Sequence, residues 1–374
     1  MRLVVVTPFI ESQGGLERVI LKIAQHFDAR VHCIRYSPEM TFPEFRELDM
    51  EVAGPGAAAK LPLGRRVSTA IDAGNHFWNL KLDDYDVINA HQTPSEWIRN
   101  RNSPLIWYCH SPNREAFDLY QWRMSQRNPL QKAVFWSSIQ AYKHFEFSAV
   151  PKIEHIFTNS INSQGRIRKY LRQESEILYP GVEYERFSNK GYGQFFLYPS
   201  RIAPEKEQEY AIEAFRRFSK KVKGWKLVLV GSLSDRPEHL AYMKKIKAAA
   251  GQDVEIVTNA TNEQLNDYYA RCSAVLYAPI NEDFGLVPLE AMASEKPCIA
   301  RKEGGPRETI DDSVDGFLVG SEQEMADKME LLAKDPDRCA SMGKSGKAKV
   351  VKKFTWGLFL KRFGQKAREL AKKE

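Results

Sequence analysis

The chain has 374 residues, longer than one hydrophobic core normally grows, so two domains are expected. Hydrophobic residues make up 43% and charged residues 28%, an ordinary globular composition, and no apolar run reaches the roughly 18 residues of a membrane span. A formal charge of +7 suits an anionic partner, whether nucleotide, phospholipid or nucleic acid, and equally plain solubility.

The opening Met1–Pro8 lacks the apolar core and cleavage site of a secretory signal and reads as the first strand of a cytoplasmic protein. Short apolar runs then alternate with longer amphipathic stretches, the pattern of an α/β protein with parallel sheets covered by helices. Leu3–Phe9 reads as a strand and Leu16–Phe27 as a helix, with further strands at Val31–Arg35, Val87–Ala90, Leu105–Cys109 and His155–Thr158. Gly54–Arg66, rich in Gly, Ala, Pro and basic residues, reads as a mobile loop. Asn113–Val150 carries eight aromatics interleaved with Arg114, Arg123, Arg127, Lys132 and Lys143, and reads as helical.

A polar join near Tyr184–Gly193 leads into a second series: strand Phe195–Pro199, helix Tyr210–Lys221, strand Lys226–Val230, helix Pro237–Ala250 and strand Val254–Thr258. Helix Asn262–Ala270 follows, opened by a capping box from Thr261 and Gln264. Strand Ala274–Ala278, helix Pro288–Ala293, strand Pro297–Ala300 and helix Glu322–Leu332 complete it. The tail, Trp356–Lys373, is a basic amphipathic helix with Leu358, Phe359, Phe363 and Leu370 available for one face. The division expected is 1–187, completed by the tail helix 356–374, and 188–355. Five cysteines, at 33, 109, 272, 298 and 339, form no C-x-x-C pair or metal cluster and read as reduced core thiols.

The chemistry concentrates in Asn281-Glu282-Asp283-Phe284-Gly285-Leu286-Val287-Pro288-Leu289-Glu290. This string follows a strand and opens a helix, because Pro288 is tolerated only in a first turn. Amides near Phe284, Gly285 and Leu286 then point outward, suited to phosphate oxygens, and Gly285 permits close approach. Glu290 either offsets the helix dipole or accepts hydrogen bonds from a ribose diol, and Glu282 is a solvated loop acid or a group at a cleft mouth. Arg201 and Lys206 are either solvated bases or the grip on a departing diphosphate. Gly14-Gly15 suits a tight turn, but the string is not G-x-G-x-x-G, so no dinucleotide cofactor is indicated. Glu17 and Arg18 fit a surface pair. His110 ends a strand and is either a structural histidine or a group emerging at a sheet's carboxyl edge, where open α/β folds bind ligands. His91 has a similar place and reads as structural or acceptor-side. Asp84-Tyr85-Asp86 reads as exposed turn residues rather than a metal site.

The spacing Glu282-x7-Glu290 followed by Gly304-Gly305-x-x-Glu308 resembles the retaining glycosyltransferases of family 4, which have the GT-B fold. The likeness extends over nearly the whole chain, through Gly14-Gly15-Leu16-Glu17-Arg18, Tyr179-Pro180-Gly181-Val182-Glu183 and Ser200-Arg201-Ile202-Ala203-Pro204-Glu205-Lys206. The string Tyr108–Tyr120, containing His110-Ser111-Pro112, resembles the sub-group that includes mannosyltransferases of bacterial O-antigen assembly. Glu183 stands where the family usually has Asp, Glu207 where many members have Gly, and Thr258 where Gly is usual.

The resemblance implies two Rossmann-like domains facing across a cleft, the first binding acceptor and the second a nucleotide-sugar, with the C-terminal helix returning to the first. It places Arg201 and Lys206 on the donor diphosphate, Glu290 on ribose, and Val257 and Thr258 at the nucleobase, mostly through backbone. It sets Phe284, Gly285 and Leu286 around the donor, the Gly15 amide toward the donor phosphate or the acceptor, and His110 with Glu282 against the sugar as catalytic groups. The reaction implied is hexosyl transfer with retention, the acceptor hydroxyl attacking on the face the diphosphate leaves. No metal or other cofactor is expected. GDP-mannose is the expected donor and a UDP-sugar the alternative; the acceptor is a glycan or a lipid-linked glycan. An epimerase of the same fold and a non-catalytic anion-binding or membrane-binding protein are the other readings. Asn113–Val150 reads either as partial core beneath surface cations or as a surface that meets an anionic membrane, the inner face of the cell membrane, and no nucleic-acid motif is present.

Overall fold

A computed structural model describes residues 1–60 and 65–372 of the chain, which form two compact units. Unit 1 comprises Met1–Pro180 with Phe359–Glu374, and unit 2 comprises Gly181–Leu358. The division falls a little before the polar stretch around Tyr184, because the amide of Val182 already bonds to the carbonyl of Phe354 inside unit 2.

Unit 1 runs β1 (Leu3–Ile10), α1 (Gly15–Phe27), β2 (Arg30–Tyr36), β3 (Met50–Val52), α2 (Arg65–Asn79), β4 (Val87–His91) and β5 (Leu105–Cys109). It continues through α3 (Tyr120–Ser125), α4 (Pro129–Ala149), β6 (His155–Thr158), α5 (Ile161–Arg166) and β7 (Glu176–Ile177). Among the described residues its strands form one parallel sheet in the order β3-β2-β1-β4-β5-β6-β7. Every residue of β4 and β5 is buried, as expected of strands covered on both faces.

Unit 2 runs β8 (Phe195–Pro199), α6 (Gln208–Lys221), β9 (Lys226–Gly231), α7 (Pro237–Ala249), β10 (Val254–Thr258), α8 (Asn262–Arg271), β11 (Ala274–Tyr277) and α9 (Val287–Ala293). Then follow β12 (Cys298–Arg301), α10 (Pro306–Thr309), β13 (Gly316–Val319), α11 (Glu322–Lys334) and α12 (Pro336–Lys353). Its described strands form a parallel sheet in the order β10-β9-β8-β11-β12-β13. Phe196, Tyr198, Leu227, Leu229, Leu276 and Ile299 sit at the centre of its core. The capping box at α8 forms as its sequence implies, with Thr261 Oγ1 accepting from the Gln264 amide at 3.2 Å.

The last helix, α13 (Trp356–Ala371), turns Phe359 and Phe363 into unit 1. Phe359 meets Tyr108 at 5.6 Å between ring centroids, and Phe363 meets Phe27 at 5.6 Å. Leu358 is exposed rather than part of that face, and Ala367 takes the inward position instead. Gly54–Arg66 is not one loop: Ala57–Lys60 form a 3-10 turn whose Ala58 amide donates to Asp72 Oδ1 at 2.8 Å, and Arg65 opens α2. Residues 61–64 of that stretch lie outside the described residues. All five cysteines are buried. Burial pushes the thiols of Cys33 and Cys272 up to about 12 and that of Cys339 up to about 11, which keeps them protonated.

Candidate active site

Each sheet has a point where the connections on either side leave in opposite directions: at β1, flanked by β2 and β4, and at β8, flanked by β9 and β11. Such points open a crevice at the carboxyl ends of the strands, where α/β folds bind ligands. Gly14-Gly15 follows β1, Arg201–Lys206 follows β8, and Glu282–Leu286 follows β11. His110 follows β5, next to β4.

In unit 2 the loops after β8 and β11 are joined directly. Lys206 Nζ donates to Glu282 Oε2 at 2.6 Å, with the lysine side chain 15% and the glutamate 25% exposed. Tyr198, buried in β8, donates from its hydroxyl to the Lys206 carbonyl and accepts from the Ala278 amide at 3.1 Å. This residue reads in sequence only as strand core; the signal available was that a buried tyrosine hydroxyl needs a partner. Glu207, the residue just before α6, stands at φ 51°, a left-handed conformation that accounts for the glycine common there in the family the chain resembles. The Arg201 side chain is 60% exposed and approaches Glu205 only at 3.7 Å, so its guanidinium faces solvent.

The loop carrying Glu282 is held from below by Gly304-Gly305. The Gly305 amide donates to the Glu282 carbonyl at 2.9 Å. A side chain on Gly304 would strike the Glu282 backbone, and one on Gly305 the Phe284 backbone. Phe284 is buried, and Gly285 turns at φ 79° against the Tyr277 hydroxyl before Leu286 caps α9. Pro288 lies in the first turn of α9, as its sequence requires. That helix has only seven residues, so most of the positive charge at this place belongs to the side chains. Glu290, also in the first turn, accepts from the Tyr269 hydroxyl at 2.8 Å, which fixes its rotamer. Val257 and Thr258 end β10, an edge strand, with Thr258 exposed.

In unit 1 the glycine turn is built around an acid. Gly14 caps α1, its amide donating to Glu17 Oε2 at 3.1 Å while Ser12 Oγ donates to Glu17 Oε1 at 2.6 Å. Glu17 is therefore buried and closes the turn at Gly14, while the Arg18 guanidinium lies over Phe42. His110 is half-buried, and its Nε2 lies 3.2 Å from His91 Nδ1. Burial pushes the His110 imidazolium down to about 3, so the ring is neutral near neutral pH. Asp84 and Asp86 are engaged by Arg2, the Asp86 carboxylate accepting from the Arg2 amide at 2.6 Å.

The aromatic stretch divides. Phe117, Tyr142 and Phe145 pack against the unit 1 core, whereas Trp122, Leu130, Val134 and Trp136 are each more than half exposed. No acidic residue occurs between Asp118 and Glu146, so the face is apolar and basic. Among the described residues no helix is long and apolar enough to cross a membrane.

Two Rossmann-like units with these loops at their strand reversals are the architecture of the GT-B fold. Sucrose-phosphate synthase from Thermosynechococcus elongatus superposes with a TM-score of 0.77 at 18% identity, covering 100% of both chains. The Anabaena protein HepE, solved with UDP-glucose, gives 0.74 at 19% identity, covering 99% of this chain and 100% of its own. Residues 13–186 match the family described as Glycosyltransferase Family 4, and residues 183–349 match Glycosyl transferases group 1. Human alpha-1,3/1,6-mannosyltransferase ALG2 is 27% identical over 91% of this chain and 90% of its own length. Trehalose synthase from Pyrococcus horikoshii is 30% identical over 74% of this chain and 67% of its own. The chain belongs to glycosyltransferase family 4 and is a hexosyltransferase.

Proposed function

We propose that the enzyme transfers mannose from GDP-mannose, with retention and without a metal, to a hydroxyl of a glycan or lipid-linked acceptor. The observation that carries this reading is the Lys206–Glu282 pair at the strand reversal of unit 2, with Glu290 on the helix that follows. An ammonium has three donors, so Lys206 can hold Glu282 and still donate to a diphosphate oxygen. Arg201, solvent-facing, supplies a planar fork for the same group. Together they offset the charge that grows on the departing nucleoside diphosphate, the task a metal would otherwise serve. Glu282 orients the sugar, Glu290 accepts from the ribose, and Val257 with Thr258 lies beside the base. Gly15 and the amides of Phe284, Gly285 and Leu286 complete the donor contacts, and His110 serves the sugar.

The mannose assignment is supported by the likeness to the mannosyltransferase ALG2 over both units. A UDP-sugar donor is the second reading, favoured by the UDP-glucose bound to the Anabaena neighbour. A thermal-shift comparison of GDP-mannose, UDP-glucose and ADP-glucose, followed by anomeric analysis of the product, decides between them. Stabilisation by GDP-mannose and an α-linked product in the presence of EDTA are expected; a response to UDP-glucose alone would remove the mannose assignment. The exposed Trp122, Leu130, Val134 and Trp136 with their basic neighbours support work at an anionic bilayer surface. Co-sedimentation with phosphatidylglycerol vesicles but not with neutral ones is the expected result.

A further inference from the structure

Asn89, His91 and His110 form a chain of hydrogen bonds with one direction. Asn89 Nδ2 donates to the Ile106 carbonyl at 3.1 Å across the β4–β5 pair, which leaves Asn89 Oδ1 as an acceptor. That oxygen lies 2.7 Å from His91 Nε2, so the proton of His91 sits on Nε2. His91 Nδ1 then carries a lone pair, and it lies 3.2 Å from His110 Nε2. The only matched arrangement has His110 donating from Nε2–H to His91 Nδ1. His91 is fully buried, and both its ring nitrogens are engaged, so it has none to offer an acceptor sugar. Its carbonyl receives the Ser95 hydroxyl, and the carbonyl of His110 receives Ser163 Oγ at 2.9 Å, so both backbones are held as well. Burial lowers both imidazolium pKa values, so the relay stays uncharged.

We propose that His91, oriented by Asn89, is a positioning residue that fixes His110 as its Nε2–H tautomer and leaves Nδ1 as the lone pair it offers to the transfer reaction. A lone pair at Nδ1 accepts a hydrogen bond from a sugar hydroxyl or faces the positive charge that develops at the anomeric carbon; an N–H there would do neither. The proposal rests on the reading in which His110 serves the donor sugar.

Two-bond 1H–15N correlation spectra of the 15N-histidine-labelled full chain test it, with single variants assigning the signals. His91 and His110 are both expected in the Nε2–H pattern. In His91→Leu, His110 is expected to gain the Nδ1–H form, and kcat to fall on the order of 10²-fold with donor KM little changed. His91→Asn places an acceptor oxygen where Nδ1 stood and should recover most of that loss. A wild-type His110 in the Nδ1–H pattern, or equal losses in the Asn and Leu variants, would overturn the relay. The wild-type spectrum decides even if His91→Leu does not fold. His110→Ala at wild-type turnover would instead remove the sugar-side reading, an outcome the tautomer pattern does not depend on.

Discussion

Lys206 and Glu282 stand 76 positions apart in sequence and 2.6 Å apart in space, so neither can be changed without altering the other's surroundings. In the proposed donor site, removing the cation leaves a carboxylate beside the departing diphosphate, and removing the acid takes away the lysine's partner. Lys206→Ala and Glu282→Ala are each expected to lower kcat by on the order of 10²–10³. The double variant should lose much less than the product of the two, because the pair acts as a unit. Steady-state rates with the preferred donor measure this, and wild-type turnover in both single variants would refute the site. Tyr269→Phe tests the neighbouring contact. Without the hydroxyl that fixes Glu290, donor KM should rise several-fold while kcat changes less.

At the scale of elements, α9 is held by close packing against α12. A side chain on Gly343 would meet the backbone of Glu295, and one on Gly346 would meet Met292 Cγ at 2.7 Å. Gly343→Ala should therefore cost about 1–3 kcal/mol, read as a lower urea midpoint, despite alanine's better helix propensity. A stabilised variant would mean the helices can move apart freely. Those glycines also explain why α12 is hard to see in the sequence: they occupy inward positions where a periodic apolar residue would announce a helix. Strands β1, β5 and β8 are legible because burial on both faces makes them continuous apolar runs. The loops after β8 and β11 are legible through Arg201, Lys206, Gly285 and Pro288, each tied to a local rule. The contact between those loops is not, since strand order decides it. The inward turn of Glu17 and the link from His91 to His110 are hidden for the same reason: one acid or one imidazole looks alike in solvent and in a core.

For the whole molecule, two sets of buried groups set opposite pH limits. Burial lowers the imidazolium pKa of His91 and His110 from 6.5, so the unfolded chain binds more protons and stability is lost as pH falls below that value. Burial raises the acids Glu96 and Glu146 above 4.5, their proximity adding to the rise at Glu96, so stability is lost as pH climbs above that value. Glu96→Gln should gain in stability relative to wild type as pH rises above about 5, and an unchanged difference would show that Glu96 titrates alike in the folded and the unfolded chain. The discontinuity of unit 1 carries a consequence for the nascent chain. Its first 180 residues leave the ribosome before Phe359 and Phe363 exist, and the whole of unit 2 is made in between. At about 5–20 residues per second, the face around Tyr108 and Phe27 stays uncovered for about 10–40 s during synthesis. Ribosome-bound chains stalled before α13 should therefore crosslink to chaperones through that face, and release of the full chain should end the contact.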